Sequence, residues 1–317
     1  MKIIGTGRAH PAKVVTNAML EHFLDTSDEW IKTRTGMSER RVISSEKLED
    51  LAAEASLQAI ADAGLKPADI DYIICSNVVN EYITPGLSCI VQGAIGAKCA
   101  CVDINVACAG FVYGLDMADD RIRSGKAKNI LVVAAEEPTR MVDWSDRATC
   151  VLFGDGAGAA VVTEGDGYLG SRMGAVSMTD CLHYLRRLEP TPYITKEEFN
   201  APMYMNGRQV FKTAVMLSSR DIKALLADKG LQPEDVKYYV LHQANMRIVE
   251  AVAKQMELDL SYFPHNVEYC GNTSSASVAL LLDELHRDGK LQRGDKLILS
   301  AFGAGFSTGT CLIEWTK

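Results

Sequence analysis

The feature that most constrains this 317-residue chain is that one pattern occurs in it twice. Leu65-Lys-Pro67-Ala-Asp69-Ile-Asp-Tyr72-Ile-Ile74 lies over Leu231-Gln-Pro233-Glu-Asp235-Val-Lys-Tyr238-Tyr-Val240, a separation of 166 residues. Asp62 and Gly64 match Asp228 and Gly230 at the same separation, and Lys128–Ala134 resembles Asp295–Ala301 at 167. An offset held through helix, turn and strand marks a duplication. Strands alternating with helical patterns then imply an α/β fold with largely parallel, layered sheets. The halves are placed at 1–165 and 166–317, related by a pseudo-twofold that brings matching strand ends together.

Local patterns fill in this frame. Strands are expected at Lys2–Gly7, Ile70–Ser76, Cys101–Ala107, Lys128–Ala135, Ala148–Phe153 and Ala157–Val162. Helices are expected at Thr16–Leu24 and Ser27–Thr35, with Thr16 and Ser27 as N-caps. Others are expected at Leu48–Ala63, at Pro85–Ile95, from Cys108 through Arg121, and from Thr273 to His286; Gly64 and Gly96 end the first two of these. Gly154–Gly158 lacks the Gly-Lys-Ser/Thr of a phosphate loop and is read as a structural turn. Asp166–Gln209 yields no element.

A net charge of −8 argues against a general nucleic-acid or membrane-surface binder. Nine cysteines, an odd number without a disulfide framework, fit reduced thiols in the cytoplasm. Cys99 and Cys101 lack zinc-knuckle spacing, so no metal site is expected. The opening residues show no secretory h-region, and no apolar run is long enough to span a bilayer.

The chemistry gathers around Asp103–Gly114. Cys108 stands where a strand hands over to a helix, and unpaired N–H groups and positive potential at a helix start favour a thiolate. Ala109 and Gly110 leave room for a carbonyl. Taken alone, Cys108 is better read as one more buried cysteine. The repeat changes this. Position 108 maps near 274, inside Gly271-Asn272-Thr-Ser-Ser-Ala276, and the strand that carries Ser76 in one half carries His242 in the other. Cys108, His242 and Asn272 are therefore expected to face one cleft. Such a trio can serve a hydrolase, with His as base to the thiol, or an acyl-transfer enzyme, with the His and Asn N–H groups holding charge on a thioester oxygen. Trp30 and Arg34, four apart on a helix, read either as a packed Trp with a surface Arg or as a platform for a base and a phosphate.

These motifs resemble the β-ketoacyl-acyl-carrier-protein synthase III family of thiolase-like condensing enzymes. The likeness is carried by Ile3–Gly7, Asp25–Gly36, Ala107–Phe111, Phe153–Ala160, Leu241–Asn245, Gly271–Ser277 and Ala301–Phe306, and runs nearly end to end. It implies a five-layer αβαβα thiolase-like fold and an acyltransferase that starts type II fatty acid synthesis. An acyl-CoA loads Cys108. Malonyl-acyl-carrier protein then loses CO₂ under His242 and Asn272, and the carbanion attacks the Cys108 thioester. Coenzyme A enters as part of a substrate, and no separate cofactor is implied.

By the same resemblance the oxyanion is held by the backbone N–H groups of Cys108 and Ala304. The family has Gly at the latter position, so Ala304 must not need φ above zero. Trp30 and Arg147 match the adenine sandwich, Arg34 a phosphate contact and Thr26 the same mouth, while Phe211 and Asn245 match the pantetheine tunnel. Lys212, Arg247 and Lys254 would meet the acidic carrier protein. Leu152, Phe153 and Met205 match the acyl pocket. Thr84, before Pro85, stands where the family reaches across a homodimer to close that pocket. A threonine there leaves room for a longer or branched starter. A secondary-metabolite condensing enzyme or acyltransferase with an unusual starter is the alternative. A non-catalytic scaffold would predict a broken trio and is disfavoured, and a thiolase would need a second cysteine that Cys270 does not supply.

Overall fold

The computed structural model describes residues 1–185 and 202–317. One sheet contains strands β1 (Lys2–Ala9), β2 (Tyr72–Ser76), β3 (Ala100–Ile104), β4 (Ile130–Glu136) and β5 (Gly156–Thr163), in the order β1-β5-β4-β2-β3. A second contains β6 (Tyr168–Ala175), β7 (Tyr238–Leu241), β8 (Lys296–Gly303) and β9 (Ser307–Glu314), in the order β6-β9-β8-β7. The two orders superimpose, β1 on β6, β5 on β9, β4 on β8 and β2 on β7. Lys2 and Tyr168, Tyr72 and Tyr238, and Ile130 and Lys296 each stand 166 residues apart. The duplication is thus a duplication of strand order, with β3 the strand that has no counterpart in the second sheet among the described residues.

Helices α1 (Asp28–Thr35), α2 (Leu48–Asp62), α3 (Leu87–Ile95), α4 (Gly110–Arg123), α5 (Gly207–Lys229), α6 (Met246–Met256) and α7 (Ala276–Arg287) complete the frame. α2 and α3 cover the outer face of the first sheet, and α5, backed by α6, covers that of the second. α4 and α7 fill the space between the sheets. Three apolar clusters correspond to these three interfaces, which is the αβαβα layering expected. Position in the stack shows in each helix. α2 buries Leu48, Leu51, Ala52, Ala55, Ser56, Ala59 and Ile60, one stripe at helical spacing. α7 buries Ala276 through Asp283 without interruption, because a sheet lies on either side.

Some elements differ from expectation. Only Asn17–Leu20 of Thr16–Leu24 is helical, with Thr16 capping Met19 N–H. The strand before Cys108 ends at Ile104, and as a sheet edge it is half-buried rather than buried. Ala148–Phe153 is a chain of turns closed by Asp146, with one bridge from Phe153 to Asn272. α3 begins at Leu87, where the Asp103 carboxylate accepts from Leu87 and Ser88 N–H at 2.6 and 2.7 Å. α7 begins three residues after Thr273. Within Asp166–Gln209 the structure has β6, a short pair of Leu182–His183 with Tyr204–Met205, and the start of α5; residues 186–201 lie outside the described residues. β6 escapes the pattern because Gly170, Arg172 and Gly174 interrupt its apolar alternation.

The first sheet packs on α2 through glycine. A Cβ on Gly7 would lie 2.2 Å from Ala55 O and 2.6 Å from Ala59 N, both backbone atoms. Gly7→Ala should therefore lower unfolding stability by about 1–3 kcal/mol, the range for overpacking, as read from the midpoint of urea denaturation.

Candidate active site

Cys108 lies in a short 3₁₀ turn, Ala107–Ala109, that feeds α4. Two close approaches fix this turn. A Cβ on Gly303, at the end of β8, would meet Cys108 N at 2.6 Å, and one on Gly110 would meet Ser76 Oγ at 1.8 Å. Ala107 is held at φ +45°, a region that costs a side-chain-bearing residue about 1–2 kcal/mol. Cys108 Sγ accepts from Ser274 Oγ at 3.4 Å, and Ser274 is the residue 166 positions on. Ser274 also has positive φ, +52°. The nucleophile candidate and its own repeat mate thus touch, each on a strained turn before a central helix.

Asn272 and His242 are positioned by bonds that leave specific atoms free. Asn272 N donates to Leu152 O at 2.8 Å, and its Oδ1 accepts from Ser274 N at 2.9 Å, leaving Nδ2 as the available donor. His242 follows β7 and donates its main-chain N–H to Ser300 O at 2.8 Å. Its ring packs edge-on to Phe302 at 5.1 Å. Ser277 Oγ lies 2.7 Å from His242 Nδ1 and also accepts from Gln243 N at 3.3 Å. With an N–H already pointing at its oxygen, the Ser277 hydroxyl proton is best directed at Nδ1. That assigns the imidazole proton to Nε2, a donor.

Burial sets the charges. It pulls His242 down to about 3, so the imidazole is neutral at ordinary pH. It pushes the Cys108 thiol up to about 12, with Glu136 adding to the rise and the Ser274 hydroxyl opposing it. The helix start favours the thiolate, and burial opposes it.

All three residues line one cavity of about 980 Å³, near the upper end of ligand pockets. Leu152, Phe153, Met205, Phe211, Asn245 and Ala304 line it too. Ala304 is not among the non-glycine residues of positive φ, which are Ala107, Glu257 and Ser274; Gly305 takes φ +142° instead. The backbone there satisfies the condition set by the missing glycine. At the mouth, Ser27 caps α1 by accepting from Trp30 N at 3.1 Å. Arg34 and Arg147 sit 4.8 and 5.1 Å from the Trp30 ring centroid. Arg147 is held by Asp25. Asn245 caps α6 and donates to Arg34 O at 3.2 Å, tying α1 to the second half. Arg247 lies over Phe211 at 5.6 Å. With Arg208, four arginines line this one rim, a local basic patch on an acidic chain.

Not every expected residue is brought in. Thr26, Thr84, Lys212 and Lys254 do not line the cavity. Thr84 lies in the exposed segment Glu81–Pro85, and Lys212 and Lys254 are exposed on α5 and α6. Sequence reasoning also passed over Ser274, Ser277, Phe302 and Arg208. The repeat offset points at Ser274 directly.

A duplicated five-layer α/β fold, with a cysteine at a central helix start facing a neutral His and an Asn, defines a thiolase-like acyl-transferring enzyme. The 3-oxoacyl-[acyl-carrier-protein] synthase III profile matches residues 102–180, and the profile of its C-terminal part matches 226–315. A β-ketoacyl-[acyl-carrier-protein] synthase III of Clostridium acetobutylicum is 42% identical over 322 residues, covering 100% of this chain and 99% of the relative. The solved 3-oxoacyl-[acyl-carrier-protein] synthase III of Aquifex aeolicus superimposes with a TM-score of 0.92 at 40% identity, covering 99% of each chain. The priming β-ketosynthase of the R1128 polyketide pathway superimposes with a TM-score of 0.92 at 33% identity, covering 100% of this chain and 96% of that one. The chain belongs to the β-ketoacyl-acyl-carrier-protein synthase III family.

The assignment of His242 is directly measurable. ¹⁵N shifts of labelled protein should show a neutral imidazole protonated at Nε2, with no titration between pH 5 and 8, since a group pulled down to about 3 stays uncharged above it. A His242 resonance titrating near 6.5 would contradict the burial argument.

Proposed function

We propose that the chain condenses an acyl-CoA starter with malonyl-acyl-carrier protein, releasing CO₂ and initiating type II fatty acid synthesis through an acyl-Cys108 intermediate. The observation that carries the reading is the convergence of Cys108, His242 and Asn272 on one cavity whose rim bears an aromatic ring between arginines. The rim suits the adenine and phosphates of coenzyme A. Trp30, Arg34 and Arg147 take the head group, with Thr26 beside them, and Phe211 and Asn245 line the pantetheine path.

In the loading step Cys108 Sγ attacks the thioester carbonyl, and the backbone N–H groups of Cys108 and Ala304 hold the oxyanion. Coenzyme A leaves. In the second step the malonyl thioester oxygen accepts from His242 Nε2–H and Asn272 Nδ2–H, and charge develops there as CO₂ departs. Both donors are neutral and fixed by second bonds, so they need no reorganisation as the enolate forms. The enolate carbon then attacks the acyl-Cys108 carbonyl and expels the Cys108 sulfur. A hydrolase would need an imidazole nitrogen free to accept the thiol proton, and Nδ1 is already engaged by Ser277.

Lys212, Arg247 and Lys254, exposed on α5 and α6, are assigned to the acidic carrier protein. A homodimer is supported by β3, a half-buried strand with an edge unpaired among the described residues, and by the exposed Tyr82 and Ile83. Thr84 of one copy would then help close the other copy's pocket. Nine unpaired cysteines suit a reducing cytoplasm. Among the described residues no helix is long and apolar enough to cross a membrane.

Intact mass spectrometry after incubation with acyl-CoAs should show one acyl adduct on Cys108, followed by a β-ketoacyl product once malonyl-carrier protein is added. Cys108→Ser should not load. His242→Ala and Asn272→Ala should load but lose about 10²–10³-fold in decarboxylative condensation, the usual cost of one oxyanion donor. No adduct on Cys108 with any acyl-CoA would overturn the reading.

The second reading concerns the starter. Thr84 in place of a bulky group favours a longer or branched acyl chain, which a priming enzyme of secondary metabolism would use. Butyryl- and isobutyryl-CoA should load at rates within about tenfold of acetyl-CoA, a difference of no more than about 1.4 kcal/mol in barrier. Loading of acetyl-CoA alone would remove this reading and leave the first intact.

A further inference from the structure

Arg40 lies on the short strand Glu39–Val42, which pairs with Lys13–Thr16, and it is 0% exposed. Its partners are neutral oxygens. Nη1 donates to Val15 O at 3.2 Å and to Asn17 Oδ1 at 2.8 Å, and Nη2 donates to Val151 O at 2.7 Å. Among the described residues no carboxylate bonds to it. Burial pulls the guanidinium down only to about 10, so it is charged at neutral pH. A cation buried without a counter-ion is costly, and this one holds a part of the site on either side of it.

One side is the mouth. A guanidinium only donates, so the Asn17 atom facing Arg40 is the amide oxygen, and both Nδ2 hydrogens are left for other partners. They go to Asp28 Oδ1 at 2.9 Å and to Met37 O at 2.8 Å. Asp28 opens α1, and Met37 follows its C-cap Gly36. Asn17, 1% exposed, therefore spans both ends of the helix that carries Trp30 and Arg34.

The other side is the Asn272 turn. Val151 begins the run Val151–Phe153, which lines the cavity. Its neighbour Leu152 accepts from Asn272 N at 2.8 Å, and Gly154 N donates to Asn272 O at 3.1 Å. The Arg40 stem packs against the same turn, since a Cβ on Gly271 would meet Arg40 Cβ at 3.1 Å.

We propose that Arg40 is a positioning residue that holds the nucleotide platform of α1 and the Asn272 donor in one frame. Through Asn17 it sets where Trp30 and Arg34 meet the coenzyme A head group. Through Val151 and Gly271 it sets where Asn272 Nδ2 meets the malonyl thioester. A guanidinium suits this task because its N–H groups point in fixed directions. A lysine there would keep the charge but offer one nitrogen in place of the fork.

The proposal rests on the reading of this rim as a coenzyme A site, and one experiment separates the two. Single-turnover acylation of Cys108 is followed by intact mass with acetyl-CoA and with acetyl-pantetheine, which lacks the nucleotide. The wild-type, Asn17→Asp and Arg40→Lys proteins are compared at sub-saturating thioester. Asn17→Asp keeps an acceptor for Arg40 and gives it a counter-ion, but takes both N–H donors away from α1. The wild type should prefer acetyl-CoA, and both variants should lose about tenfold of that preference. Condensation of already acylated protein with saturating malonyl-carrier protein should fall about tenfold in Arg40→Lys and by less in Asn17→Asp, because only the first disturbs Asn272. A variant that merely folded less well would load both thioesters more slowly and keep the wild-type preference. A wild-type preference in Asn17→Asp, or wild-type condensation by Arg40→Lys, would overturn the proposal alone. Should Arg40→Lys not fold, the Asn17→Asp preference decides by itself. A wild-type protein that loads both thioesters equally would overturn the coenzyme A reading as well.

Discussion

The contact between Cys108 Sγ and Ser274 Oγ joins the two halves of the duplication at their matching positions. The rest of the site depends on it. For these atoms to meet, two central helices must begin beside each other, which requires a sheet on either side and an outer helical layer on each sheet. Gly303 permits the approach from β8. The positive φ values of Ala107 and Ser274 are absorbed by buried turns on both sides. Asn272 is held by the same Ser274 through its backbone N–H, so one turn carries a contact to the nucleophile and the orientation of a donor.

Water exclusion then decides the chemistry. In water a histidine is half-charged near pH 6.5 and a cysteine ionises near 8.5. Burial leaves the His242 imidazole neutral and pushes the Cys108 thiol up. A neutral imidazole protonated at Nε2 is a donor to developing negative charge and a poor base, which points toward condensation rather than hydrolysis. The same exclusion makes the thiol reluctant to ionise.

Much of this was legible in the sequence because the repeat is a long-range signal. The 166-residue offset placed Cys108 near 274 and paired the strands that carry Ser76 and His242. The Ser27 cap and the Trp30–Arg34 spacing are local and also held. Other features depend on what approaches from far along the chain. Glu136 and Ser275 are 139 residues apart, and no local pattern joins them. At Cys108 the helix start is visible in sequence, and the half that packs over it is not. The turns of Ala148–Phe153 read as a strand because apolar residues bury in either form. Thr84 lies outside the cavity, in an exposed segment whose place in the fold no local pattern shows.

The central claim is that Cys108 carries the acyl group within this cradle, and a crystal structure after incubation with acyl-CoA tests it most directly. The account predicts a thioester on Cys108 Sγ, its carbonyl oxygen on the N–H groups of Cys108 and Ala304, and His242 Nε2 and Asn272 Nδ2 left open for the second substrate. An acyl group on another cysteine, or a carbonyl taken up by His242 in place of the backbone, would contradict it.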